Sequence, residues 1–316
     1  MRGKRPQGQH QQPRSRTSYH LYKSFILVIS MNFPFRTWYE SANYKSLMVI
    51  PLIIFLLSVG ILLYHYQSTG EWFRKGIDME GGVQLSLKLT GDFDDTALER
   101  FLSERFGKVK VRKVVSATGY GALIQCGYVD QDELLNAVKE YGLDVEESTF
   151  QEVGSALGKS FWKQSQSAMI LAFILMGGIV FIIFRKVVPS LGVIFAAVGD
   201  ILGALAFMQV LGIDLTLASF AALLLTLGYS IDTDILLTTR LLKRREGSVV
   251  ERSIGAMKTG LMMTLTTMAA LGVLYVISTA PALREISSVL LIALAIDIPN
   301  TWLMNVGLLR WYLERK

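Results

Sequence analysis

Residues 215–239 read LTLASFAALLLTLGYSIDTDILLTT, twenty-five positions with no Lys, Arg or His and with two aspartates, Asp232 and Asp234, set into the apolar run. A hydrocarbon layer about 30 Å thick takes about 20 helical residues to cross. The stretch therefore predicts a membrane-spanning helix that carries acid. Five more runs of the same kind lie at 47–64, 168–184, 188–213, 260–278 and 286–309. The 316-residue chain is 51% hydrophobic and 18% charged, too little polar surface to cover soluble domains. It reads as a polytopic membrane protein.

Charge and cysteine content remove several other classes. The single cysteine, Cys126, excludes an internal disulfide, and with His10, His20 and His65 it makes no cluster of metal-ligand spacing. No metal and no cofactor is expected. The formal charge of +6 does not point to nucleic acid, because it is concentrated at one end: residues 1–45 carry eight Lys/Arg against Glu40 alone, while residues 67–163 carry twelve against sixteen acids.

The order of the runs predicts one helix (46–66), a polar insert (67–165), and a five-helix bundle (166–313) that ends in a short tail (310–316). Short connections on one side of the membrane hold Arg185, Lys186, Arg240, Lys243, Arg244, Arg245, Arg252, Lys258, Arg310, Arg315 and Lys316, and the other side's short loops hold only Arg284. The positive-inside rule then places both termini in the cytoplasm of a cell-membrane protein and the insert outside. Residues 1–45 are expected to be a basic cytoplasmic tail with an interfacial stretch at Phe33 to Trp38. A signal peptide is rejected, since the apolar run Phe25 to Met31 is only seven residues long and no small-residue cleavage pattern follows it. Met1 and Met31 both stay open as translation starts.

Within the insert, Val83, Leu85, Leu87 and Leu89 alternate with Gln84, Ser86, Lys88 and Thr90, the period of a half-buried strand. Asp94 and Asp95 can cap a helix whose stripe is Ala97, Leu98, Phe101 and Leu102. Strands are expected at Val109 to Val115 and Ala122 to Cys126 around a turn at Gly119, Tyr120 and Gly121. A helix over Asp130 to Tyr141 and a strand near Leu143 to Glu147 complete the order β-α-β-β-α-β, the ferredoxin-like split unit. The run Gly76-Ile77-Asp78-Met79-Glu80-Gly81-Gly82 is followed by a strand and by no Lys-Ser/Thr, so it is not a phosphate loop. It reads as a glycine-permitted turn, with Gly76, Asp78, Gly81 and Gly82 setting the angle of the outer domain.

The candidate chemistry is four carboxylates inside the spans: Asp200, Asp232, Asp234 and Asp297. Each intramembrane acid costs about 3 kcal/mol to insert, and such acids usually mark proton or ion pathways. Desolvation and like-charge neighbours favour the neutral carboxyl, so the group is expected to hold at least one proton. Asp232 and Asp234 lie about 200° apart around a helix and cannot face one groove. Facing polar groups are expected from Thr264, Thr266 and Thr267 on the fifth helix and from Asn300, Thr301 and Asn305 on the sixth. Lys258 either reaches the acids or snorkels at the interface. The competing reading makes each Asp a neutral structural acid bonded to a backbone carbonyl or a Ser/Thr of the next helix.

One helix, an exported β-α-β-β-α-β domain, five helices and the Gly-Ile-Asp-x-x-Gly-Gly motif together resemble the SecF type of the SecD/SecF family, within the resistance-nodulation-division (RND) superfamily. The run Leu227-Gly228-Tyr229-Ser230-Ile231-Asp232-Thr233-Asp234 up to Arg240 resembles that family's Gly-Tyr-Ser ahead of an intramembrane acid, and Lys258-Thr259-Gly260 with Thr264, Thr266 and Thr267 resembles its fifth helix. The bacterial pattern Gly-Tyr-Ser-x-Asn-Asp-Thr puts its acid at Thr233, so the likeness is to the archaeal type. On this resemblance Asp232 is expected to take up and release a proton in a groove shared with the fifth and sixth helices and a partner, with Asp234 still open as the titrating residue. The resemblance implies an accessory subunit of Sec protein export, not an enzyme, with a SecD-like partner, the Sec translocon, the exported polypeptide and the lipid bilayer as its contacts. It also implies a proton relay through Asp232, Asp234, Lys258, Thr266, Thr267 and Asp297, with Asp200, Asn300, Thr301 and Asn305 in support. A proton-driven RND exporter of lipids or small molecules and a passive translocon assembly or insertion factor are the rival readings.

Overall fold

The computed structural model describes residues 39, 42–116, 119–243, 246–278 and 280–315. The tail expected before the first span, including Phe33 to Trp38, lies outside the described residues, Tyr39 and residues 42–45 apart. Helix α1 (Tyr44–Thr69) is followed by the four-residue α2 (Ile77–Glu80) and by β1 (Gly82–Leu89), α3 (Asp95–Phe106), β2 (Val109–Ser116), β3 (Gly119–Cys126), α4 (Gln131–Glu140) and β4 (Val145–Val153). Then come α5 (Ser155–Phe184), α6 (Val187–Leu211), α7 (Leu217–Lys243), α8 (Val249–Ile277), α9 (Pro281–Pro299), a π-helical segment (Asn300–Asn305) and α10 (Val306–Glu314). Among the described residues, six helices are long and apolar enough to cross a membrane, the last running through α9, the π segment and α10.

The four strands form one antiparallel sheet in the order β2-β3-β1-β4. Its central strand shows why the alternating sequence folds this way. Leu85 sits opposite Ile124 of β3 and Phe150 of β4. Val83, Leu85, Leu87 and Leu89 are all buried, while Gln84, Ser86 and Lys88 are half-exposed. Leu98 and Leu102 of α3 and Leu134 and Val138 of α4 close the same core. Each such side chain contributes about 1.5–3 kcal/mol by leaving water. Asp94 caps α3 as expected, its Oδ1 accepting from the backbone N–H groups of Thr96 and Ala97 at 3.0 Å. Cys126 lies in this core, and burial pushes its thiol up to about 11. The turn expected at Gly119 to Gly121 is strand instead, because β3 begins at Gly119 and those residues pair with β2. The link between the two strands falls at residues 117 and 118, outside the described set. Strand β4 likewise runs to Val153 rather than ending near Glu147.

Sheet and bundle meet at the Gly76–Gly82 run. Gly76 N–H donates to the Leu215 carbonyl at 2.9 Å, and Leu215 N–H donates to the Arg74 carbonyl at 2.7 Å, so the run is stitched to the connection between α6 and α7. Gly81 (φ 88°) and Gly82 (φ 130°) adopt left-handed backbone, and a Cβ on Gly81 would stand 2.6 Å from Ser155 Cα at the start of α5. Both the backbone and the space require glycine there. The motif is thus a packed joint rather than a loose hinge.

The long helices run past the apolar windows of the sequence, α5 beginning at Ser155 and α8 at Val249. Helix α6 is central, with 67% of its apolar window buried, whereas 11% of the α8 window is buried. Apolar side chains gain little by leaving lipid for protein, so polar bonds and close packing must hold such a bundle together. Gly81→Ala is expected to destabilise the chain by about 1–3 kcal/mol. Thermal unfolding in mild detergent reads the loss, with Gly91→Ala, whose Cβ meets nothing within 4 Å, as the unaffected control.

Candidate functional site: buried acids within the helical bundle

Three of the four intramembrane aspartates come together at the contact of α6, α7 and the last helix. Asp200, Asp234 and Asp297 are each 0% exposed. Helix α6 supplies Asp200, whose Oδ2 accepts from Ser230 Oγ of α7 at 2.6 Å and whose Oδ1 accepts from Asn300 Nδ2 at 2.7 Å. Asp297, near the end of α9, accepts at Oδ1 from Thr301 Oγ1 at 2.9 Å and has Oδ2 3.5 Å from Thr233 Oγ1. Asp234 Oδ1 accepts from Asn305 Nδ2 at 2.7 Å. None of the ion pairs among the described residues involves these acids.

The last helix reaches all three acids because it is not a regular helix. Pro299 has no N–H to give, and the next six residues widen into π turns. In an α-helix Asn300 and Asn305 would point about 140° apart. The wider turns let Asn300 serve Asp200 on α6 while Asn305 serves Asp234 on α7. Gly199, beside Asp200, provides the room, since a Cβ there would stand 3.0 Å from Asn300 Nδ2.

Bond counting separates the acids. Asp200 has a donor on each oxygen and links three segments, α6, α7 and the π segment. Asp234 Oδ2 has no hydrogen-bond partner among the described residues, nor has Thr238 Oγ1 one turn further along α7. Thr233 has one hydroxyl hydrogen and stands 2.8 Å from the Ser230 carbonyl, so its longer contact with Asp297 is completed when the carboxyl itself carries the hydrogen.

Asp232 is not part of this group. It lies on the exposed stripe of α7 with Ala221, Leu225 and Tyr229. Lys258, Thr259 and Thr266 are exposed on α8, and Thr267 is half-buried. Thr266 and Thr267 donate to backbone carbonyls of their own helix, including Met263 O at 2.9 and 3.1 Å. The structure therefore brings Asp200, Asp234, Asp297, Asn300, Thr301 and Asn305 together and leaves Asp232, Lys258, Thr266 and Thr267 outside. Sequence reasoning did not single out Ser230 and Thr233 as acid partners, although the signal was present. Thr226, Ser230, Asp234 and Thr238 recur every four residues, a buried polar stripe that includes Asp234 and leaves Asp232 on the far face.

These features define a polytopic membrane protein with a small antiparallel sheet unit and, inside its helical bundle, an acid cluster that no cation among the described residues pairs with. Residues 133–315 match the family model described as protein export membrane protein SecD/SecF, C-terminal. Relatives named protein-export membrane protein SecF include those of Methanothermobacter thermautotrophicus (40% identical, covering 86% of this chain and 93% of that one) and Methanocaldococcus jannaschii (39%, covering 86% and 96%). Another, from Methanolacinia petrolearia, is 37% identical over 86% of this chain and 94% of its own. The chain belongs to the SecD/SecF family of protein-export membrane proteins. Among solved structures it is similar to SecDF from Thermus thermophilus, described as a translocon-associated membrane protein, with a TM-score of 0.69 at 20% identity. That match covers 91% of this chain and 39% of the longer one, and at this identity it speaks for the fold alone.

Ser230→Ala is expected to cost about 1–3 kcal/mol by leaving an Asp200 oxygen buried without a donor. Denaturant unfolding in detergent reads this, and the same change made in an Asp200→Ala background should cost clearly less.

Proposed function

We propose that the chain is an accessory subunit of Sec protein export that works beside a SecD-like partner, and that proton uptake and release at Asp234 alters the packing of α7 against the last helix. The observation that carries the reading is the open, fully buried Asp234 Oδ2 in a bundle where none of the described cations pairs with the acids. A carboxyl with one oxygen bonded and one free can gain or lose a proton without breaking the Asn305 bond. The neighbouring Asp297 and Asp200 carboxyls respond to the same change. In this reading Asp200, Asn300, Thr301 and Asn305 hold the arrangement, and Asp297 shares the proton.

Asp232, Lys258 and Thr266 belong to a second, outward surface. Polar groups at membrane depth are disfavoured against lipid, and α8 is the least covered of the long helices. A partner's membrane helices would cover them, which is the place proposed for the SecD-like subunit and for proton entry to the relay. The strand order β2-β3-β1-β4 with its β-α-β-β-α-β sequence supports a ferredoxin-like domain. With one span before it and five after it, and the Lys/Arg bias of the short connections, residues 67–165 face outward to the translocon and exported polypeptide, and both termini lie in the cytoplasm. The fully bonded Asp200 favours one rival on its own evidence, a passive assembly factor whose acids are purely structural.

In cells depleted of this chain, complementation with Asp234→Asn is expected to leave export of secreted substrates at the depleted level, and Asp232→Asn to reduce it. Unchanged export with both variants, the complex still assembled, would contradict proton coupling and support the passive reading.

A further inference from the structure

The two helices that meet at the acids, α7 and α9, are tied at their sheet-side ends to opposite edges of the sheet. At one edge, Asp78 bridges two elements: its Oδ2 accepts from the backbone N–H of Leu217, the first residue of α7, at 3.2 Å, and its Oδ1 accepts from Gln151 Nε2 of β4 at 3.1 Å. At the other edge, Arg284 in the first turn of α9 is only 8% exposed and donates from Nη2 to the Val115 carbonyl of β2 at 2.5 Å. Its guanidinium also lies 5.1 Å from the Tyr275 ring of α8. Strands β4 and β2 are the two outermost strands. Between the ties, Thr216 Oγ1 donates to Glu285 Oε1 at 2.5 Å and Lys110 Nζ of β2 stands 3.5 Å from Asp214 Oδ1, so both helix starts sit beneath the sheet.

We infer that Asp78 and Arg284 strap the sheet unit across the sheet-side ends of α7 and α9, so that axial slip between those helices is read out as a tilt of the sheet. The inference rests on the proposed function for the cause of the slip, and on the contacts above for its transmission. Four strands spaced about 4.8 Å put the ties about 14 Å apart. A relative helix shift of about 1–2 Å, common in switching bundles, would then tilt the sheet by roughly 4–8°. Over a strand about 27 Å long the far end moves by about 2–4 Å. Both ties are suited to passing such a displacement on. Asp78 caps the very start of α7, and the buried Arg284 is held by an aromatic ring as well as by the strand. The buried Arg284 does not give under small loads as an exposed side chain would, and Asp78 is held from two elements at once.

The test uses the full chain in lipid bilayers, with spin labels at Ser148→Cys on β4 and Leu211→Cys at the end of α6, while the buried Cys126 stays unlabelled. Double electron–electron resonance then reads the sheet-to-bundle distance. Asp78→Ala with Arg284→Gln is expected to broaden that distribution, and an unchanged mean and width in the double variant would overturn the strap. With both ties intact, Asp234→Asn is expected to shift the mean by about 2–4 Å, and the shift should vanish when the ties are cut. If Asp234→Asn stops export but moves nothing, transmission through the ties is refuted while the proposed function stands. If Asp234→Asn moves nothing and export is intact, the proposed function falls, and the transmission falls with it. Should Arg284→Gln fail to fold, Arg284→Lys, which keeps the charge and loses the planar reach to Val115, takes its place.

Discussion

An acid inside a membrane has few stable options. It can be paired with a cation, bonded to every available donor, or left neutral. Asp200, Asp234 and Asp297 have no ion-pair partner among the described residues, so donors from neighbouring helices must serve them. That requirement explains why Ser230 faces inward on α7, why Gly199 stands beside Asp200 and leaves room for Asn300, and why the last helix abandons α geometry after Pro299. A regular helix could present Asn300 or Asn305 to the acids, but not both in the required directions. Because hydrophobic burial drives little of the association of helices in lipid, these bonds also carry much of the specificity of the bundle.

The family resemblance and the coarse architecture were legible in the sequence because they rest on long-range patterns. Apolar runs of spanning length mark six helices. Alternation at Val83 to Leu89 and the Asp94 cap mark the sheet unit and its first helix. The site was legible only in part. Composition placed four acids in the spans, but choosing between Asp232 and Asp234 needed the direction of each side chain, which the Gly-Tyr-Ser motif leaves open. The four-residue spacing of Thr226, Ser230, Asp234 and Thr238 shows that direction, since this face of α7 packs inward and the face of Asp232 does not. Thr266 and Thr267 attracted notice as hydroxyls at membrane depth, yet both bond their own helix. The π segment was invisible, because one proline is equally compatible with a simple kink.

The glycine-rich run before β1 changes meaning once packed. Read alone, Gly-Ile-Asp-Met-Glu-Gly-Gly suggests a glycine-permitted turn that sets the angle of the outer domain. In place, it is stitched to Leu215, crowded against Ser155 and anchored through Asp78 to both β4 and α7. A rigid joint next to a bundle with an incompletely bonded acid is a combination that can pass a small displacement outward rather than absorb it.

The most direct measurement of the central claim is infrared difference spectroscopy of the carboxylic C=O stretch, taken on the full chain in bilayers between acid and alkaline conditions. Exchange of a proton at Asp234 predicts a carboxylic band that fades on alkalinisation and is missing from the Asp234→Asn difference spectrum while the Asp200→Asn spectrum keeps it. A band that ignores pH, or one that survives intact in Asp234→Asn, would contradict it.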